Sequence, residues 1–373
     1  MPIDTTTPRP RRSPFIRPEV LPPFKLQRRD VAILRAVARL HLIDTAQMYR
    51  YIKIVCAPPP EPRDQRLKPK DPSGHSEVHL RRRLRLLVAH GFLQLPEAQR
   101  YLSAYSFKAD GGSIPLVFSL GAEGAREVSR YEHHLDPRTA WSRKAKDVSP
   151  FTIAHSLEVS EFVISMLEAA NGHDLTLRDH YDLLPEFPAS RPAYHTSVFQ
   201  LTATLPDTYR SILDPKDTRT DALVVHTKPD RVFSLISADG TQRTNFLYEA
   251  DRETETVRPS ALSNQATIRR KILGYWHAFK NNVHTTQWGF ANARVLFQTH
   301  SQSHIDVMVK ALKAEIPSGT GLFLFSTREL IATHGPLAPV WTQYARGETS
   351  TVSLVRAAEP AILASSTPPI PTP

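Results

Sequence analysis

Between Glu77 and Gly91 the chain lays an arginine run over a leucine stripe, and few folds accept that combination. Leu80, Leu84, Leu87 and Val88 recur at i, i+4, i+7 and i+8, which is one face of a helix. His79, Arg81, Arg82, Arg83 and Arg85 are read onto the other face. Ser76 is placed to cap the helix, Glu77 suits its positive first turn, and Gly91 supplies the stop. The leucines demand a small core behind them. The arginines demand water or phosphate in front.

The flanking segments supply that core. A first helix is expected to open at Asp30 and to bury Val31, Leu34, Val37 and Ala38. A second is expected at Asp44, whose spacing to Gln47 is that of a capping box, with Met48 and Ile52 facing inward. After the arginine helix come a strand at residues 92–95, a polar turn carrying Arg100, Lys108 and Gly111-Gly112, and a returning strand at 114–120. Three helices followed by a hairpin are the layout of a winged helix-turn-helix. In that layout His79 and Arg82 or Arg83 reach base edges, Arg81 and Arg85 contact the DNA backbone, and Arg100 and Lys108 sit in the wing.

Charge follows the same division. Residues 1–148 hold 27 Lys and Arg against 15 Asp and Glu, a net of +12, whereas residues 149–373 hold 20 against 22. The whole excess of a chain with net charge +10 therefore lies in its first part, as expected of a phosphate-binding surface. Cys56 is the single cysteine, which excludes a disulfide framework and a cysteine-rich zinc site. No apolar run approaches the roughly 18 residues of a membrane helix, and no signal-peptide core opens the chain. The expectation is a cytoplasmic protein with no membrane partner.

The second half reads as α/β. An apolar-periodic helix at 153–170 carries His155, Glu158 and Glu161. Strands follow at 175–183, 221–226, 231–237 and 245–251, then a helix at 261–280, a strand at 294–299, a helix at 303–313 and a strand at 321–326. One strand opens with Asp221, and a strand read as its neighbour closes with Glu249-Ala250-Asp251. Glu249 and Asp251 are two apart and share a face. Carboxylates on adjacent strand edges suit Mg²⁺, with Asp221, Glu249 and Glu158 as the candidate ligands. Asp221, Glu249, Asp251 and Lys271 form the candidate catalytic set, Lys271 neutralising transition-state charge from the following helix. The alternative is that these acids cap a helix or pair with arginines.

The order of these elements resembles the nuclease core with the Asp…(Asp/Glu)-x-Lys signature, although Asp251 stands where that signature has its lysine. Several segments together, RRDVAILRAVARLHLIDTAQMYRY, LRRRLRLLVAHGFL, PLVFSLGAEGAREV, IAHSLEVSEF, TDALVV and FLYEADRETE with KILGYW, resemble the replication-relaxation family of bacterial and plasmid-borne proteins over about residues 27–300. The resemblance implies a winged-helix DNA binder joined to a restriction-endonuclease-like domain, and an association with plasmid replication and DNA relaxation. No nucleophilic-tyrosine motif is evident, and Tyr248 and Tyr275 read as packing residues.

The reading is thus a two-domain chain of α+β and α/β parts, the second a mixed sheet with flanking helices. A basic Pro-rich arm spans 1–25, a winged helix 26–135, a linker 136–150, a nuclease-like domain 151–345 and a Pro-rich tail 346–373. The expected partner is duplex DNA, together with replication or transfer proteins. The function expected is DNA binding in plasmid replication or transfer control, with the second domain docking partners. The alternatives are a Mg²⁺-dependent endonuclease or nickase, and a regulator that forms a homodimer through its α/β half.

Overall fold

The computed structural model describes Phe15 and residues 18–56, 77–105, 115–131, 148–188, 199–210, 221–252 and 268–355. Its first unit opens with α1 (Arg28–Leu40) and β1 (Ile43–Asp44), followed by α2 (Thr45–Val55) and α3 (Glu77–Ala89). β2 (Leu93–Gln94), a 3-10 helix (Glu97–Tyr105), β3 (Val117–Leu120) and α4 (Ala122–Val128) complete it. The strands form an antiparallel sheet in the order β1-β3-β2.

The helix expected to open at Asp30 opens earlier. Asp30 is inside it, and its Oδ2 accepts from the Gln27 backbone N–H at 2.6 Å. The capping box at Asp44 and Gln47 forms as read, with both reciprocal bonds made. Met48 and Ile52 are buried with Ile33, Leu34, Val37, Leu80, Leu84 and Leu87 in one cluster. Gly91 adopts φ +75°, a left-handed turn that ends α3. The arm expected to lack structure through residue 25 is anchored at Phe24, whose ring stacks on His90 at 4.6 Å. The segment around Arg100 is helical rather than a turn, because Gln99 Nε2 and Oε1 bond the backbone of Val117 and tie it to β3.

The second unit is a seven-stranded mixed sheet between two layers. It comprises α5 (Pro150–Gly172), β4 (Leu175–Asp179), α6 (His180–Leu183), β5 (Leu201–Leu205) and β6 (Leu223–Thr227). Then come β7 (Arg231–Ser237), β8 (Arg243–Ala250), α7 (Ile268–Lys280), α8 (Val283–Trp288) and β9 (Arg294–Thr299). α9 (Gln302–Glu315), β10 (Gly319–Thr327), α10 (Arg328–His334), β11 (Trp341–Ala345) and β12 (Glu348–Val352) close it. Strand order is β12-β11-β10-β9-β8-β7-β4, with β8-β9 and β9-β10 parallel and the other pairs antiparallel. One face packs on α7, α9 and the separate β5-β6 pair; the other packs on α5 and α10.

Two expectations are corrected by this topology. The strand that follows Asp221 is not beside the strand carrying Glu249: among the described residues β6 pairs with β5 alone, and its alternating pattern buries Leu223, Val225 and Thr227 toward α7. Gly274 of α7 has room for no side chain, since a Cβ there would lie 2.5 Å from Thr227 Cγ2. The sheet also runs past residue 345. Arg346 and Gly347 both take positive φ, the tight hairpin geometry that turns β11 into β12.

The two units share α5. Gln47 Nε2 donates to Leu157 O at 2.9 Å, Ser160 Oγ donates to Leu42 O at 2.7 Å, and Arg50 binds Glu161 and Glu168. Ile164 of α5 belongs to the buried cluster of the first unit. A second tie runs through Arg39, which binds Asp182 at 2.8 Å and whose carbonyl accepts from Arg231 at 2.8 Å.

Candidate nucleic-acid interface and acidic site

α3 presents His79, Arg81, Arg82 and Arg85 to solvent over its buried leucines. Arg81 is held lightly by an exposed i,i+4 pair with Glu77 at 2.5 Å. Val78, 73 % exposed, extends the same stripe. Arg83 does not join it. Its Nε donates to Asp30 Oδ1 at 2.7 Å, its Nη2 binds the other Asp30 oxygen and Lys25 O, and its guanidinium lies 4.5 Å above the Phe24 ring. Asp30 is wholly buried. Arg83 therefore closes α3 onto α1 and the arm, a correction to its placement on the outer face. Arg100 is exposed on the 3-10 helix, 4.2 Å over the ring of Phe15. Lys108 lies outside the described residues.

The second candidate lies where β8 and β9 end and β7 begins. Glu249, the penultimate residue of β8, is 2 % exposed and faces α7. Lys271 Nζ approaches its Oε2 at 3.1 Å, and the Tyr275 hydroxyl donates to its Oε1. Tyr275 is thus more than the packing residue it was read as; Tyr248 does stack on Phe162, at 3.8 Å. Burial pushes the Glu249 carboxyl up to about 7, with Lys271 pulling against it and the charge of Asp230 adding to the rise.

Asp230 is the residue sequence reasoning missed. It precedes β7 directly, its Oδ2 accepts from Ala250 N–H at 2.8 Å, and its Oδ1 meets His155 Nε2 at 3.1 Å. Burial opposes its ionisation, yet the His155 hydrogen bond and charge hold its carboxyl below the usual range. Burial likewise opposes a charged His155, and Asp230 outweighs it, so the imidazole titrates above its ordinary value. The available signal was Pro229-Asp230 directly ahead of an apolar run, which reads locally as a turn.

The other acids are distributed around this pair. Asp251 shares the Glu249 face, as its spacing implied, and meets His304 at the start of α9 at 2.7 Å. Glu158, from α5 on the opposite face, is flanked by Arg252 at 3.6 Å, His300 at 3.3 Å and Gln298 at 3.4 Å. Asp221 is not brought to this edge. It is exposed, its carbonyl accepts from Arg210, and its carboxylate lies 3.9 Å from the same guanidinium. Among the described residues, no group of three or more His, Cys, Asp or Glu is arranged around a common metal position.

Most of both sites falls within one stretch of family likeness. Residues 68–292, more than half of the chain, match the profile described as replication-relaxation. The chain belongs to that family. The replication-relaxation match includes α3, His155, Glu158, Asp230, Glu249, Asp251 and Lys271, and it leaves out α1, α2, His300 and His304. Membership gives the protein a replication-related function. Neither a curated protein nor a solved structure matches the chain significantly. Among the described residues, no helix is long and apolar enough to cross a membrane.

Proposed function

We propose that this replication-relaxation protein binds duplex DNA through α3 of a winged helix and cleaves the DNA backbone at the edge holding Asp230 and Glu249. The observation that carries the reading is the meeting of Asp230, Glu249 and Lys271 at one sheet edge, where Ala250 N–H ties Asp230 to the strand bearing Glu249. The supporting frame is the order α5, β4, β7, β8, α7, β9, a three-strand antiparallel meander between helices followed by a parallel strand, with β5-β6 inserted. It is the element order of the nuclease core that the sequence resembles. In that comparison Pro229-Asp230 takes the place of the first acid, assigned from sequence to Asp221. Lys271 reaches Glu249 from α7 in place of the lysine that Asp251 replaces.

The winged-helix assignment draws its support from the β1-β3-β2 sheet and from α3 lying second after β1, with Arg81, Arg82 and Arg85 outward. Arg81 and Arg85 would take phosphates, and His79, Arg82 and Val78 would face base edges in the major groove.

Two carboxylates are hard oxygen donors, and the charge of Asp230 adds to the rise that burial imposes on Glu249, so a cation between them would favour the ionised pair. The residues present therefore fit Mg²⁺ held by Asp230 and Glu249, with water completing the shell, as magnesium usually requires. Such an ion supplies an activated water and stabilises charge on the phosphate. The chain's own contributions are separate. Lys271 places a positive charge beside Glu249, and His155 orients Asp230.

A second reading, docking of DNA or replication partners without cleavage, is favoured by one observation: Asp230, Glu249, Asp251 and Glu158 each already face a basic side chain. Supercoiled-plasmid nicking in Mg²⁺, Mn²⁺ or EDTA decides between them. Metal-dependent nicking abolished by Asp230→Asn supports cleavage. Clean binding with no nicking leaves docking.

A further inference from the structure

A groove of about 510 Å³ opens at the opposite end of α7 from the acidic edge. Lys271 and Lys280 stand at the two ends of that helix, about 14 Å apart along its axis. The groove lies over the starts of β9 and β10 and is lined by Trp276, Phe279, Lys280, Asn292 and Arg294. Its walls are of two kinds. Trp276 and Phe279 are half-buried, one side packed on the core and the other toward the opening. Phe279 is braced by a stacked His284 ring at 3.9 Å, whose ionisation burial suppresses. Lys280 is exposed and Arg294 half-exposed, and neither side chain has a hydrogen bond or ion pair among the described residues.

Flat rings that are held rigid, next to cations with no acid to neutralise them, are the two requirements for gripping an unpaired nucleotide. Every base offers a π-face, and every phosphate a negative charge. A duplex does not meet them, because its bases are already stacked on one another. We infer that this groove holds a nucleotide unit of single-stranded DNA, the base on Trp276 and the phosphates at Lys280 and Arg294. The inference is independent of cleavage at the acidic edge: a strand-holding site serves a replication protein that opens or keeps hold of one strand whether or not it cuts.

The test uses full-length protein carrying Arg81→Ala/Arg82→Ala/Arg85→Ala, so that α3 contributes little to the signal. Fluorescence anisotropy with labelled oligo(dT) measures binding before and after adding Lys280→Glu/Arg294→Glu, and separately Trp276→Ala. Each should weaken binding about tenfold or more, with unchanged circular dichroism. The charge pair keeps the test valid should Trp276→Ala fail to fold. Thymidine monophosphate as competitor separates the sources: displacement only far above the oligonucleotide's Kd assigns the groove to a strand, while displacement at an equal concentration assigns it to a free nucleotide and overturns the strand. Oligonucleotide binding unaltered by Lys280→Glu/Arg294→Glu overturns the site altogether.

Discussion

Arg82→Ala and Arg83→Ala are neighbours with opposite expected phenotypes. Arg83 meets a wholly buried Asp30 through both carboxylate oxygens and also binds Lys25 O. Its removal leaves that carboxylate with the Gln27 amide and no cation. Breaking one side of a buried pair costs about 3–5 kcal/mol, and Arg83 retains some exposure, so the lower end, about 3 kcal/mol, is expected. With a urea slope of about 2 kcal/mol per M, the midpoint should fall by about 1.5 M. Arg82→Ala touches an exposed side chain and should stay within about 0.5 kcal/mol. Circular dichroism against urea reads the first quantity, and duplex-DNA anisotropy at low temperature the second. Arg83→Ala should bind DNA once folded; Arg82→Ala should bind poorly while fully stable. Replacing the pair together, Asp30→Leu with Arg83→Met, should cost less than Arg83→Ala alone. An unchanged midpoint for Arg83→Ala, or loss of DNA binding in a fully folded Arg83→Ala protein, would refute the reasoning.

The acidic edge makes its own forecast: Asp230→Asn should remove any metal-dependent nicking and Asp221→Asn should leave it intact, read on agarose gels, and equal loss in both would break the assignment. Removing Arg81 and Arg85 together should flatten the slope of log affinity against log salt by about 1.8, at about 0.9 per phosphate contact, measured from low to moderate salt. Glu249 carries a raised carboxyl, so the native state holds its proton more tightly than the unfolded chain, and its contribution to stability falls as pH climbs from the ordinary 4.5 through about 7. The urea midpoint of wild type should therefore decline relative to Glu249→Gln between pH 5 and pH 8; a constant difference would contradict the raised carboxyl. His155 adds a separate trend. Its raised imidazole stabilises fully below the ordinary 6.5, and that stabilisation is lost as pH rises through the folded value, so wild type and His155→Gln should converge as pH climbs above 6.5.

Much of the first unit was legible because local rules and packing agree there. The leucine stripe of α3, the Asp44–Gln47 cap and the Gly91 stop are each short-range signals, and each survives in the fold. The error at Arg83 was legible too. It stands three residues after Leu80 and four before Leu87, inside the stripe, and Asp30 stands at the same spacing from Ile33 and Leu34 on α1. A charge at a core position calls for a partner at another, and here each answers the other. Asp230 was harder. Whether β6 or β7 lies beside β8 is a long-range pairing choice, and an acid opening either strand looks alike in sequence. β5 escaped notice because it is short and its partner β6 lies about twenty residues further along, whereas the β11-β12 hairpin is local, and its Arg346-Gly347 turn was passed over by reading residues from 346 on as tail.

α5 takes part in both halves of the molecule within a few turns. His155 and Glu158 point to the acidic edge, while Leu157, Ser160 and Glu161 receive the helices that carry α3. A shared rod of this kind leaves no slack between the surface proposed to grip DNA and the edge proposed to act on it. The offset from the gripped segment to the acidic residues is then a constant of the fold, as in a pair of fixed jaws. Different positions along a DNA molecule come within reach only by bending or unwinding the DNA itself.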